Sequence, residues 1–194
     1  TVAGPGAAMS AAHVKVNAAM LREHMGDGLR TMQLGSEIVA IGEGPGLEFW
    51  KEVGRLQQLR GSLLLEPTPE ALHMATAAAV AFEDRALLHA PVAHLAVARG
   101  HLSNNDPEAS LAAAERAADI AQRTGARWMW AETLRLRGRA LALAHERAPD
   151  EDPARPAQAC TSLIEAVLTA RRQGARVLEL RALADLIDID RHVR

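Results

Sequence analysis

The stretch PEASLAAAERAADIAQRTGARWMWAETLRLRGRALAL, residues 107–143, contains two Ala- and Leu-rich runs separated by one glycine. Pro107 suits the first turn of a helix, where its missing N–H would be unpaired in any case. Asp106 or Asn105 can cap that turn with a side-chain oxygen. Gly125 can end the first run, because glycine readily adopts the left-handed conformation found at helix C-termini. The stretch therefore predicts a helix hairpin.

The second helix of this hairpin has two apolar faces. One face carries Trp130, Leu134, Gly138 and Leu141, and the other carries Met129, Leu136, Ala140 and Leu143. Glu132, Arg135 and Arg139 form a polar stripe between the two faces. A helix with two apolar faces must pack on both sides, as the inner helix of a structural repeat does.

Three sequence markers show that such hairpins recur along the chain. An Arg-Gly pair stands at positions 60–61, 99–100 and 137–138, at spacings of 39 and 38 residues. Prolines that open Ala-rich runs stand at 69, 107 and 156, at spacings of 38 and 49 residues. The triplet Gly-Ala-Arg also recurs after 49 residues, at 125–127 and 174–176. The markers predict a period near 39 residues with one inserted loop, 147–156.

These patterns predict one all-α domain over residues 1–194, a right-handed stack of antiparallel helix hairpins with about nine helices. Aromatic residues make up 3% of the chain and tyrosine is absent, which favours helix over strand. Residues 1–7 are expected to be disordered or foreign to the native chain. Helices are predicted at 8–25, 28–41, 47–65, 69–84, 87–102, 107–123, 127–146, 157–173 and 176–190. Gly61 and Gly138 are expected to allow close helix approach.

The hairpin at 107–143 resembles a tetratricopeptide-repeat unit, with longer and degenerate repeats, so the stack is expected to be an α-solenoid. Ser110, Ala114 and Ala117 occupy the small-residue positions of the repeat's second helix. The segments ERAADIAQRTGARWMWAETLRLRG and LIEAVLTARRQGARVLELRALADL are similar to the C-terminal helical region of large bacterial regulators. These regulators are the NTPase-containing LuxR-type transcriptional regulators and the ATPases fused to adenylate-cyclase domains.

The resemblance implies a sensor or scaffold region that receives a signal from a protein partner or a small-molecule effector. It also implies an upstream NTPase and a separate output domain in a larger parent chain. The chain begins at Thr1 without an initiator Met, which agrees with a piece of a larger protein.

Composition narrows the function classes further. The net charge is -2 and the two signs are interspersed, so direct nucleic-acid binding is not expected. No apolar run approaches the roughly 20 residues that span a bilayer, and no membrane association is expected. The single Cys160 has no partner for an intrachain disulfide, which suits a cytoplasmic protein.

No motif for catalysis or metal binding is present, and we expect no enzyme activity, no cofactor and no metal. The glycine-rich segment GEGPG, residues 42–46, lacks the Gly-Lys-Ser/Thr ending that binds phosphates and Mg²⁺. The eight histidines form no His-Glu-x-x-His motif, and we interpret them as isolated core or surface residues. Cys160 lies at a position suited to a small apolar residue. Asp185, Asp188 and Asp190 are expected on a solvated helix face.

The polar stripe is the most specific candidate for a ligand- or partner-binding surface. Glu132, Arg135 and Arg139 are matched 77 residues earlier by Arg55, Gln58 and Ser62. Equivalent inner-helix positions line up on the concave face of a solenoid, where arginines can bind a carboxylate or phosphate. The alternative is that these residues are solvated charges.

The tryptophans allow two interpretations. Trp128 and Trp130 point to different sides of a helix, so one can enter the core while the other lines a groove. Trp50 opens an earlier inner helix. The three are either structural anchors or, for Trp50 and Trp128, aromatic contacts to a ligand.

The main functional prediction is thus a non-catalytic sensor or scaffold module of a bacterial multidomain signalling or transcriptional regulator. The alternatives are a stand-alone small-molecule-binding protein, with a pocket near Trp50 and His89, and an enzyme on a helical-repeat scaffold. A homodimer is also predicted as an option, because the first helix carries Met9, Val14, Val16, Met20 and Leu21 and is rather apolar for a terminal repeat.

Overall fold

The computed structural model describes residues 5–85 and 88–193, with side chains for residues 6–85 and 88–189. The helices in these ranges are α1 (Pro5–His24), α2 (Gly28–Ile41), α3 (Glu48–Leu65), α4 (Pro69–Arg85), α5 (Ala90–Ser103), α6 (Pro107–Thr124), α7 (Trp130–Arg147), α8 (Arg155–Arg172) and α9 (Arg176–Val193). A short 3-10 turn, Arg127–Met129, precedes α7. The described residues contain nine α-helices and no strand, so the all-α prediction is confirmed.

Local capping explains the ends of the helices in the hairpin that decides the fold. The Asp106 carboxylate accepts the N–H of Ala109 at 3.2 Å, and Pro107 stands in the first turn of α6. Gly125 ends the same helix in the left-handed conformation, with φ of +73°. Gly174 plays the same part after α8, with φ of +66°. The capping and proline predictions for this hairpin are confirmed.

The chain divides into two compact units, Thr1–Ala75 and Thr76–Arg194. In the first unit, α2 packs against both α1 and α3, and α1 also touches α3. The prediction of a single domain over residues 1–194 stays a prediction, and residues 1–4 lie outside the described ranges. Helix α1 begins at Pro5, three residues before the predicted start at residue 8.

The second unit has two layers. Helix α7 packs against its sequence neighbours α6 and α8 and also contacts α5 and α9. We call α5, α7 and α9 the inner layer, and α6 and α8 the outer layer. Residues 131–136 of α7 are all buried. A helix enclosed in this way needs apolar residues on both faces, as the sequence predicted.

Two of the recurring glycines allow helices to approach closely. A Cβ atom on Gly138 would lie 3.1 Å from the carbonyl oxygen of Ala159 on α8. A Cβ atom on Gly61 would lie 2.6 Å from the carbonyl oxygen of Gly28 on α2. A contact of 2.6 Å essentially never occurs around a real Cβ atom, and one of 3.1 Å is unusually tight, so a larger residue at either position would require its neighbours to shift. The prediction of close approach at these glycines is confirmed.

A loop lies where the sequence predicts the insertion, and its status as an insertion stays a prediction. Helix α7 ends at Arg147 and α8 begins at Arg155, and turns connect them. The loop thus occupies most of the predicted range 147–156.

Candidate binding site on the second helical unit

Glu132 of α7 lies at the centre of an ionic cluster in the inner layer. Its side chain is fully buried, and three arginines contact its carboxylate. Arg135 donates Nε to Oε2 at 2.8 Å and Nη2 to Oε1 at 2.9 Å. Arg99 of α5 donates Nη2 to Oε1 at 2.9 Å, and Nη1 of Arg181 of α9 lies 3.2 Å from the same oxygen. One carboxylate therefore ties together all three helices of the inner layer.

Asp185 of α9 supplies a second carboxylate to this cluster. Its Oδ2 accepts a hydrogen bond from Nη1 of Arg135 at 2.5 Å, and its Oδ1 lies 3.7 Å from Nε of Arg139. The expectation that Asp185 is solvated is wrong, because the arginines of α7 draw its carboxylate into the layer, where 16% of the side chain is exposed. Asp188 is exposed, and the side chain of Asp190 lies outside the described residues.

The cluster shifts the pKa values of Glu132 and Arg135. Burial by itself raises the pKa of Glu132, but the charge and hydrogen bonds of Arg135, followed by the charges of Arg181 and Arg99, hold that pKa well below its usual 4.5. Burial by itself lowers the pKa of Arg135, but the Glu132 carboxylate outweighs this effect and raises that pKa above its ordinary value. Both side chains are thus ionised at neutral pH.

The predicted stripe of Glu132, Arg135 and Arg139 is therefore brought together by the structure, but two of its members are occupied. Glu132 and Arg135 are buried and bonded to side chains of the same chain. Arg139 is the most exposed of the three, with 37% of its side chain accessible. Binding of a ligand by the stripe stays a prediction, and within the stripe the geometry favours Arg139.

Arg55 and Gln58, two of the positions that match the stripe 77 residues earlier, lie on α3 in the first unit. Arg55 is exposed, and Gln58 donates Nε2 to Oγ of Ser36 at 2.9 Å. Trp50 is buried and packs edge-to-face on His13, with ring centroids 4.5 Å apart. This packing favours the structural-anchor interpretation of Trp50.

The other two tryptophans have different surroundings. Trp128 stands in the 3-10 turn with 43% of its surface exposed. Trp130 opens α7 and is half-buried, and Cζ of Arg127 lies 5.8 Å from the centre of its ring. The interpretation that one ring lines a groove applies to Trp130, whereas the sequence favoured Trp128 as the binding residue.

That groove is a cleft of about 380 Å³ between α6, α7 and α8. Glu115 and Asp119 of α6, Trp130, Leu134 and Arg137 of α7 and Glu165 of α8 are among its lining residues. Trp130 and Arg137 are only half-buried here, and the exposed Glu115 and Glu165 lie at the same cleft, which leaves apolar and charged groups open to a ligand.

Some charged groups of the cleft have partners within the chain. The Asp119 carboxylate accepts Nη1 of Arg116 at 2.9 Å and Nε of Arg123 at 3.1 Å. Arg137 donates Nη1 to Oγ of Ser162 at 3.0 Å. Asp119 is thus neutralised by neighbours on its own helix, and Arg137 is anchored to α8.

Sequence reasoning missed Glu115, Arg137 and Glu165 as candidate site residues. The spacing of Glu115, Asp119 and Gln122 places one polar face on α6, which is a weak signal, since most surface helices have such a face. The cleft forms only where α6, α7 and α8 meet.

One buried histidine has a charged partner. Nε2 of His94 on α5 lies 2.8 Å from Oε1 of Glu83 on α4, and Nε of Arg116 donates to the same oxygen at 3.0 Å. Burial lowers the pKa of His94 below 6.5, and the hydrogen bond that the Glu83 carboxylate accepts offsets only part of that shift. In the part of the chain that the structure describes, no group of three or more His, Cys, Asp and Glu side chains could hold a metal ion.

The apolar face predicted on α1 is partly exposed. Met9, Val14 and Leu21 are 45%, 68% and 51% exposed, whereas Val16 is buried and Met20 is half-buried. Homodimerisation through this face stays a prediction.

None of the described helices has the length and apolar character that a bilayer-spanning helix requires. Comparison of the chain with protein-family models, with curated proteins and with solved structures finds no match. The resemblance to the helical region of the bacterial regulators therefore stays a prediction.

Proposed function

We propose that this chain is a non-catalytic helical-repeat module of a bacterial multidomain signalling or transcriptional regulator, acting in the cytoplasm as a sensor or scaffold. In this role it binds a protein partner or a small-molecule effector, while an upstream NTPase and an output domain of the parent chain carry the activity.

One observation carries the proposal, namely a ligand-sized cleft beside a layer of helices held by buried charges. The Glu132 carboxylate holds α5, α7 and α9 together, so the inner layer is a firm support. The outer helices leave a cleft of about 380 Å³ beside it. Small-molecule sites commonly have volumes of about 300–1,000 Å³ and a few convergent polar groups. A cleft of this size beside a firm layer of helices supports binding of a small-molecule effector.

The same cleft supports the alternative of a stand-alone small-molecule-binding protein. The two candidates differ in the size of the native gene product. Trp50 and His89 belong to separate compact units, and a pocket near them stays a prediction.

A blot of source cells with an antibody raised against this chain tests the proposal. We expect a band several times larger than the 20.8 kDa of the chain itself. A protease-deficient strain, lysed directly in denaturant, is the control against fragmentation. A band near 20.8 kDa in both strains would contradict the module and favour the stand-alone binder.

A further inference from the structure

The cleft between α6, α7 and α8 offers two carboxylates to a ligand, one from each outer helix. Glu115 stands on α6 and Glu165 on α8, and both side chains are exposed. Within the described residues, neither carboxylate has an ion-pair partner, in contrast to Asp119, which Arg116 and Arg123 neutralise. These carboxylates can thus accept hydrogen bonds from a cationic group.

The α7 side of the cleft offers the opposite charge. Arg137 uses Nη1 to hold Ser162, which is its one hydrogen-bond partner within the described residues. Most of its N–H donors therefore remain for water or a ligand, in the planar arrangement that suits a carboxylate. The bond to Ser162 holds the guanidinium in place, which reduces the entropy lost on binding.

Apolar surface completes the cleft. Trp130 and Leu134 line it from α7, one turn apart, next to the charged groups. An aromatic ring beside an aliphatic side chain provides contact area for an apolar group of a ligand.

We propose that this cleft binds a small zwitterion of the α-amino-acid class. Glu115 and Glu165 bind the ammonium group, Arg137 binds the carboxylate, and the apolar side chain of the ligand packs on Trp130 and Leu134. The inference rests on the proposed function and names the class of effector.

The mixed charges of the lining decide between ligand classes. A ligand that carries only positive charge meets the guanidinium of Arg137, and a ligand that carries only negative charge meets Glu115 and Glu165. Either mismatch is an unfavourable like-charge contact, whereas a zwitterion satisfies both sets of groups.

Calorimetric titration of the full chain with each common α-amino acid tests the proposal. We expect at least one amino acid with an apolar side chain to bind. Its amide, which lacks the carboxylate charge, and its N-acetyl derivative, which lacks the ammonium charge, should each bind at least about tenfold more weakly.

Variants locate the binding in the cleft. Glu165→Gln and Arg137→Gln should each raise the Kd of that amino acid by about tenfold or more. Glu146→Gln is the matched control, because Glu146 is exposed on α7 and does not line the cleft. Thermal melts of all variants check the fold. If Arg137→Gln melts early, Arg137→Lys replaces it, since lysine keeps the charge but loses the planar donor pair.

Three results would overturn the proposal: no amino acid binds, the amide binds as tightly as its parent, or Glu165→Gln leaves Kd unchanged. These failures are distinct from failure of the proposed function. If the native protein is large but no amino acid binds, only the proposal of a zwitterionic ligand is contradicted. If an amino acid binds but the native protein runs near 20.8 kDa, only the proposal of a regulator module is contradicted.

Discussion

Glu132 and Arg135 stand one turn apart on α7, and two hydrogen bonds of 2.8 and 2.9 Å join the buried carboxylate to the guanidinium. Both residues are less than a tenth exposed. Arg99 and Arg181 reach the same carboxylate from α5 and α9. The pair therefore links the helices of the inner layer rather than facing solvent. Its loss should destabilise the packing of α5, α7 and α9.

Glu132→Gln should lower the free energy of unfolding strongly. The substitution removes the one buried carboxylate that Arg99, Arg135 and Arg181 share, and losing one partner of a buried ion pair costs about 3–5 kcal/mol. Urea denaturation at neutral pH measures the loss. Arg139→Gln is the control, because Arg139 is 37% exposed and lies 3.7 Å from Asp185. An exposed pair of this kind contributes less than about 1 kcal/mol. Equal losses in both variants would contradict the central role of Glu132.

His94 should make the protein less stable as the pH falls through about 6.5. Burial lowers the pKa of His94 in the folded state, with a further small contribution from the Arg116 charge against the raising effect of Glu83. The unfolded chain therefore takes up a proton before the folded protein does, and stability falls between about pH 6.5 and the lower folded pKa. Hydrogen bonds from Arg116 and His94 hold the pKa of Glu83 below 4.5, so its carboxylate stays ionised in this window.

Urea denaturation at about pH 7.5 and about pH 5.5 measures this slope for the wild type and for His94→Gln. The variant should lose part of the pH dependence. His73→Gln is the matched control for the substitution itself, because His73 is exposed on α4. Identical slopes for the wild type and His94→Gln would show that another group causes the effect.

Gly61→Ala should destabilise the first unit although alanine favours helices. The new Cβ would lie 2.6 Å from the carbonyl oxygen of Gly28 and 2.9 Å from the backbone nitrogen of Met32. Overpacking of this kind costs about 1–3 kcal/mol, against a gain in helix propensity of about 1 kcal/mol. Thermal denaturation compares it with Gly6→Ala, since a Cβ at Gly6 meets nothing within 4 Å. A higher melting temperature for Gly61→Ala would contradict the close packing of α2 and α3.

Gly125→Ala should lower stability through backbone strain alone. Gly125 has φ of +73°, and a Cβ there would meet nothing within 4 Å. An L-residue in the left-handed region costs about 1–2 kcal/mol, and asparagine tolerates the region better than alanine. Urea denaturation should thus order the variants as wild type, Gly125→Asn and Gly125→Ala, from most to least stable. Equal stability of the alanine variant and the wild type would mean that the turn relaxes.

Helix ends and hairpins were predictable because their causes are local. The Asp106 side chain reaches an N–H three residues ahead, and Gly125 takes a conformation that its own lack of a Cβ permits. The close approach at Gly61 and Gly138 was predictable because both glycines recur in register inside helices, where glycine costs stability unless packing requires it. Which helix each one meets was not predictable, since Gly61 meets the preceding helix α2 and Gly138 the following helix α8.

The environment of the polar stripe was not predictable in the same way. Periodicity places Glu132, Arg135 and Arg139 on one face of α7, but it does not show what covers that face. Arg99 comes from 33 residues earlier and Asp185 from 50 residues later than its partner in the cluster. Because of these long-range pairs, Glu132 and Arg135, which the sequence predicts as ligand-binding residues, instead bind side chains of the same chain.

The amino-acid sequence by itself thus determined an all-α chain of hairpins, the caps of the helix at 107–124 and two glycines at which helices meet. Short-range hydrogen bonds and helical periodicity are sufficient for these features. The tertiary structure alone decided that Glu132 is enclosed and that Glu115, Arg137 and Glu165 surround a common space. Burial and convergence depend on which helices lie beside one another, and the side chains that cover a face come from distant parts of the chain.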